Sequence, residues 1–147
     1  CADHTCRFVI SLLAQGVRRV FLDTLATEGD LASTAPKRCL VTGDGHPHPS
    51  AAAYSQMARQ LEDTRFIRRL DLADGVHAYL FSGDGRSVAV LSSRPGHAAC
   101  ALPRPSGAAV EDLFGNPVGE GRQMGEELVY ICTEGGVEAL AEQLGLR

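Results

Sequence analysis

In residues 5–15 the apolar side chains Phe8, Val9, Ile10, Leu12, Leu13 and Ala14 crowd the chain, while Arg7, Ser11 and Gln15 recur every four positions. That pattern predicts a helix buried almost all round, with one wet stripe. Gly16 is placed to cap it, because the left-handed backbone that often closes a helix is least strained without a Cβ. The run Val17-Arg18-Arg19-Val20-Phe21-Leu22 that follows is rich in β-formers and ends in Asp23-Thr24, which predicts a short strand buried on both faces near its end. Helix, glycine turn and strand in this order make the αβ half of a parallel-sheet unit. Residues 26–38 mix Gly, Ser, Thr, Pro and acidic side chains without a period and read as irregular.

A second helical period follows the run Gly43-Asp44-Gly45-His46-Pro47-His48-Pro49-Ser50. Tyr54, Met57, Ala58 and Leu61 fall at i, i+3, i+4 and i+7, with Ser55, Gln56, Arg59, Gln60 and Glu62 opposite them. This predicts an amphipathic helix over residues 51–62. Past Arg65 the period changes to alternation. Val76, Ala78 and Leu80 alternate with His77, Tyr79 and Phe81, then Gly83-Asp84-Gly85-Arg86 turns the chain back into residues 87–92, which predicts an antiparallel hairpin. Further short β-runs at residues 99–102, 109–113 and 127–132 are separated by Gly/Pro turns, as in a small antiparallel sandwich. Val137, Leu140, Ala141 and Leu144 close the chain at helical spacing. The boundary implied near Thr64 leaves an αβα piece over residues 1–64 and a β-rich piece over 65–147.

The first piece raises a physical difficulty. A single buried parallel strand needs neighbours on both sides to pair its N–H and C=O groups, and residues 1–16 contain no candidates. Either the β-rich half supplies them, or the chain is the tail of something longer.

Composition narrows the classes of function. A chain of 147 residues with 44% apolar side chains can fill one sizeable core, and the net charge of −4, with basic residues scattered, leaves no footprint for nucleic acid. No apolar run approaches the length that spans a membrane, and no targeting signal is recognisable. Cys1, Cys6, Cys39, Cys100 and Cys132 are odd in number and form no Cys-x-x-Cys pair, as expected of free thiols in a reducing, cytoplasmic setting. Cys39 and Cys132 have no identifiable activating base and read as structural. His46 and His48 are two possible metal ligands without a third or fourth at useful spacing, so neither a metal nor another cofactor is expected. Pro47 and Pro49 account for the same stretch as a stiff lead into a helix, with Pro49 at an early position where a missing N–H costs little. Gly43-x-Gly45 lacks the rest of a phosphate loop, no nucleophile elbow is present, and His77 and His97 read as isolated surface residues.

The order of helix, Gln15-Gly16-Val17-Arg18-Arg19-Val20-Phe21, irregular loop, Leu40-Val41-Thr42-Gly43-Asp44-Gly45-His46-Pro47-His48-Pro49-Ser50-Ala51-Ala52-Ala53-Tyr54, helix and β-sandwich resembles the C-terminal end of a clan-A glycoside hydrolase. Ala89-Val90-Leu91-Ser92-Ser93, Val110-Glu111-Asp112-Leu113-Phe114-Gly115-Asn116-Pro117-Val118 and Leu128-Val129-Tyr130-Ile131 resemble the strands and turns of that clan's accessory domain. The fold class implied is α/β plus all-β: the last helix-strand-helix unit of a (β/α)8 barrel followed by a small antiparallel β-sandwich. Residues 5–15 would be the seventh barrel helix, 17–24 the eighth strand and 51–62 the eighth helix.

In such enzymes the acid/base and nucleophile glutamates sit at the ends of strands four and seven, roughly 5 Å apart in a retaining mechanism. The resemblance places both upstream of Cys1, so no catalytic residue is expected in this chain, and the chain alone is expected to be inactive. Active sites of these barrels lie at the C-terminal ends of the strands. That makes Asp23, Thr24, Glu28 and Asp30 the candidates for lining a carbohydrate substrate site in the longer protein. The chain has no Trp, although related enzymes often stack a sugar on one near strand eight. The alternative is a stand-alone β-sandwich module that binds carbohydrate or protein without catalysis.

Overall fold

The computed structural model describes residues 2–22, 40–42, 44–72, 75–96 and 100–145. Among these are three helices: α1 (Ala2–Ala14), α2 (Pro49–Leu61) and α3 (Val137–Gln143). The strands are β1 (Arg65–Asp71), β2 (Val76–Gly83), β3 (Arg86–Ser93), β4 (Cys100–Ala101), β5 (Ala109–Asp112), β6 (Gln123–Met124) and β7 (Val129–Glu134). Five strands form an antiparallel sheet in the order β1-β2-β3-β7-β5, and β4 pairs with β6 in a separate two-stranded sheet.

The main sheet is covered on both faces, and strand alternation sorts its side chains between them. Phe81, Val88, Val90 and Tyr130 face Cys6, Val9 and Ile10 of α1 and Ala53 and Met57 of α2. Leu80, Ala89, Leu91 and Ile131 point the other way, into a layer closed by Met124, Leu140, Ala141 and Leu144. The fold is thus a mixed α and β, sandwich-like arrangement, with a helical layer added to one face. β3 is central and doubly covered, which explains why residues 87–93 are all buried. Removing a side chain such as Leu91 or Ile131 from water stabilises the fold by about 1.5–3 kcal/mol.

The hairpin forms where predicted. Gly83 pairs with Arg86, and Asp84 (φ 46°) and Gly85 (φ 77°) both adopt the left-handed backbone of a type I′ turn, whose twist matches that of the strands. α2 begins at Pro49 with His48 as its N-cap, as the proline pattern predicted. β1 was not predicted, because Arg65, Arg68 and Arg69 mask its alternation. Its Phe66 packs edge-on against Phe81, and its register shifts between Phe66 and Arg68. The two-residue strand β6 was also not predicted.

Two expectations are corrected. Residues 17–22 lie in no strand. The main sheet draws all its members from Arg65 onward, so no neighbouring ladder meets this segment. The helix that precedes it is not buried all round: α1 buries Cys6, Val9 and Ile10, while Phe8 is 54% exposed, because α2 and the sheet cover one side of it.

Polar contacts pin the helices to the sheet. Arg7 of α1 donates to the Ser92 hydroxyl and to the Ser93 and Glu126 carbonyls, and the Asp3 carboxylate accepts the Leu128 N–H. On α2, Gln56, Arg59 and Gln60 all donate to Glu111 Oε2, at 2.6, 2.6 and 2.7 Å. Gln60 Oε1 in turn accepts the Cys132 thiol.

Glu111→Ala should therefore destabilise the fold by about 2 kcal/mol, because the buried Gln56 and Gln60 amides lose their acceptor. Arg59→Ala should remove less than about 1 kcal/mol, since that side chain is 60% exposed. Urea midpoints of the two variants check the ranking, and equal losses would contradict it.

Candidate functional site

The four residues nominated from sequence, Asp23, Thr24, Glu28 and Asp30, lie outside the described residues, as do Cys1, Cys39 and His97. Just before them in the sequence, Val20 and Leu22 pack against the core between the helices and the sheet. Next to them a cleft of about 520 Å³ opens between α1 and α2. Val9, Leu13, Val20, Met57 and Leu61 line it with Tyr54, and Arg59 and Glu62 stand in its wall. Glycosidic hydrolysis by paired carboxyl groups needs two of them facing one bond. Among the described residues lining the cleft, Glu62 is the single carboxylate, and most of the others are apolar.

A second constellation lies on the helix-facing side of the sheet, where Asp71, His77 and Ser92 are cross-strand neighbours on β1, β2 and β3. It has the residue types of a Ser-His-Asp relay, but its hydrogen bonds are arranged otherwise. Arg94 Nε donates to His77 Nε2 at 3.2 Å, and Arg69 Nη2 lies 2.9 Å from Nδ1. His77 Nδ1 also lies 2.6 Å from Asp71 Oδ1. The Ser92 hydroxyl meanwhile accepts from Arg7. With Arg94 against Nε2 and Arg69 and Asp71 against Nδ1, His77 is not placed to take a proton from Ser92. The hydrogen bond from Arg69 and then that from His77 hold the Asp71 carboxyl below the ordinary carboxylate range. His77, expected to be isolated, is instead held by Arg69 and Asp71 of β1 and by Arg94 just past β3. Cross-strand register brought these groups together, and linear spacing could not reveal it.

At the motif preceding α2, the Thr42 N–H bonds the His46 carbonyl at 2.8 Å and the Gly45 N–H bonds Thr42 at 2.9 Å, forming a compact turn. The Thr42 hydroxyl donates to Asp44 and is the main reason that its carboxyl is lowered. His46 Nε2 lies 3.6 Å from Asp44, and both side chains are largely exposed. Among the described residues, no three His, Cys, Asp or Glu side chains converge on a point where they could hold a metal ion. No helix among them is long and apolar enough to cross a membrane.

A tight turn follows β5. Asp112 Oδ1 accepts the N–H groups of Phe114 and Asn116, both at 2.9 Å. Desolvation pushes the Asp112 carboxyl up, but the hydrogen bonds from Asn116 and Phe114 outweigh it and leave the group lowered. The turn carries Phe114 outward, 44% exposed. Its signal in the sequence is the run Asp112-Leu113-Phe114-Gly115-Asn116-Pro117.

With the geometry in place, the chain can be set beside known proteins. No family model matches the sequence, and no curated protein matches it. Among solved structures, it is similar to a family 39 glycoside hydrolase from the gut symbiont Bacteroides cellulosilyticus WH2, with a TM-score of 0.71 at 17% sequence identity. At this identity the likeness is one of fold. The superposition takes in 90% of this chain and 30% of the other, so the chain spans less than a third of that protein's length.

Proposed function

We propose that this chain is the C-terminal portion of a glycoside hydrolase: the last helix-strand-helix unit of a (β/α)8 barrel, residues 1–64, followed by its β-sandwich domain, residues 65–147. The observation that carries the reading is the fold likeness to a glycoside hydrolase over nine-tenths of this chain but only 30% of the larger protein. A segment resemblance in the sequence, drawn from the Gly43–Pro49 approach to α2 and the Asp112–Pro117 turn, points the same way.

In this reading the catalytic carboxylates lie outside the chain, and Asp23, Thr24, Glu28 and Asp30 line the carbohydrate site from the last strand and its loop. Their part is to orient sugar hydroxyls by accepting hydrogen bonds, while hydrolysis itself belongs to two glutamates on other strands. The apolar lining of the α1–α2 cleft, with its single carboxylate, agrees with a packing role for this end of the molecule.

Sequencing the coding region ahead of Cys1 tests the placement. An open frame of about 250 further residues, with glutamates closing two of its predicted strands, is the expected finding. A start codon just ahead of Cys1, preceded by a stop, would leave the non-catalytic module as the better reading.

A further inference from the structure

We propose that His77 is a pH-sensitive catch: with a free lone pair on Nε2 it holds Arg94 and keeps the turn at residues 94–96 on the sheet, and when protonated it expels Arg94 and lets that turn open. The proposal rests on the side chains around the ring and stands whether or not the chain belongs to a glycoside hydrolase.

The ring is enclosed, its side chain only 12% exposed. From β1, Arg69 Nη2 lies 2.9 Å from Nδ1 and 3.2 Å from Nε2, and Asp71 Oδ1 lies 2.6 Å from Nδ1. From the chain just past β3, Arg94 Nε donates to Nε2 at 3.2 Å. On β3 itself the cross-strand neighbour is Ser92, whose hydroxyl accepts from Arg7 of α1, and Arg7 is paired with Asp3. Tyr79 of β2 has its ring centroid 5.9 Å from the Arg69 guanidinium. Two guanidinium groups and one carboxylate thus meet the imidazole directly.

Arg94 Nε can only donate, so its bond lasts only while Nε2 keeps a lone pair. An imidazolium carries a hydrogen on both nitrogens. It would keep Asp71, whose carboxyl the hydrogen bonds from Arg69 and His77 hold below the ordinary carboxylate range, but it would set an N–H and a positive charge against Arg94. Of the two arginines, Arg94 is the one free to leave. Arg69 sits in the β1–β2 ladder opposite Tyr79 and donates to Asp71 Oδ1 at 2.8 Å. Arg94 is exposed and lies just beyond Ser93, the last residue of β3 paired with β2. Without its side chain the turn hangs, among the described residues, on the Arg94 N–H bond to the Gly75 carbonyl at 3.3 Å and the Gly96 N–H bond to Glu126 Oε1 at 2.9 Å. Imidazole is the side chain whose charge ordinarily changes between about pH 5 and about pH 8, so the turn is held at the upper end of that range and released at the lower.

Hydrogen exchange of the Arg94 and Gly96 amides, measured by NMR and corrected for the intrinsic pH dependence of exchange, tests the catch in the 147-residue chain. Their protection should fall at least about 10-fold from about pH 8 to about pH 5.5, while the amides of β3 and β7 keep theirs. Arg94→Gln, a change at an exposed side chain, should show low protection at both pH values. His77→Gln should lose the pH dependence as well. Equal wild-type protection at the two pH values, an acid loss shared by the whole sheet, full protection in Arg94→Gln, or a pH-dependent loss that survives in either variant would overturn the catch.

Discussion

Gly83→Ala is expected to destabilise the fold by at least about 3 kcal/mol, or to prevent folding. A Cβ built on Gly83 would stand 1.9 Å from the Asp63 carbonyl oxygen and 2.9 Å from Thr64 Cα. Both are backbone atoms, so no side-chain rotation relieves the overlap. The end of β2 and the turn leaving α2 would have to separate, although that turn is already fixed by Asp63 in a left-handed backbone (φ 56°) and by the Thr64 hydroxyl donating to the Leu61 carbonyl at 2.8 Å. Separation would also pull at Arg86, whose guanidinium donates to the Arg59 and Glu62 carbonyls at the end of α2. Gly125→Ala serves as the control. Its Cβ would meet nothing within 4 Å, and its stability should change by no more than about 0.5 kcal/mol. Urea unfolding of both variants decides the matter, and a Gly83→Ala protein as stable as the control would show that the close approach is not maintained in solution.

The second large effect is alkaline. Burial pushes the Cys6 and Cys132 thiols from an ordinary 9.0 up to about 11, with Asp3 adding to the shift at Cys6 and Glu111 at Cys132. Between pH 9 and 11 the unfolded chain has released protons that the folded chain still holds, so stability is complete below pH 9 and falls as the pH rises through that window. Each thiol contributes roughly 2 kcal/mol of loss by pH 11. Tyr130, fully buried with its hydroxyl unpartnered among the described residues, is pushed upward as well and steepens the decline. Unfolding free energies measured from pH 8 to 11 should therefore fall by about 4–5 kcal/mol. Cys6→Ala combined with Cys132→Ala should flatten that slope whatever it does to the absolute stability. A flat wild-type profile would mean that water reaches these thiols.

What could be read from the sequence follows from which forces act locally. The hairpin of β2 and β3 was legible because two left-handed residues and a period of two specify it within twenty residues. Helix α2 was legible because a proline lead-in and an i, i+3, i+4 stripe coincide. β1 was hidden because Arg65, Arg68, Arg69 and Asp71 fall on both its exposed and its half-buried positions, so its pattern reads as charge rather than alternation. The exposure of Phe8 and the lack of a ladder at residues 17–22 could not be read locally, since each depends on what other segments bring alongside. The same holds for the Asp71–His77–Arg94 cluster and the Glu111 contacts, which cross-strand register and helix docking assemble from distant positions. The Asp112 turn, by contrast, was visible as a motif, because its hydrogen bonds close within five residues.

The sequence-nominated Asp23, Thr24, Glu28 and Asp30 stay tied to the fragment reading, in which a carbohydrate site is completed by residues from elsewhere. Among the described residues, two helices are fixed to a doubly covered sheet by Arg7 and Glu111, with a cleft between them lined mainly by apolar side chains.

The most direct measurement is the release of 4-nitrophenol from a panel of aryl glycosides by the polypeptide of the whole reading frame, run beside the 147-residue chain. Turnover by the long polypeptide and none by the short chain is the predicted result. Turnover by the short chain alone, or none by the long polypeptide on any sugar of the panel, would contradict a glycoside hydrolase whose catalytic glutamates lie outside these residues.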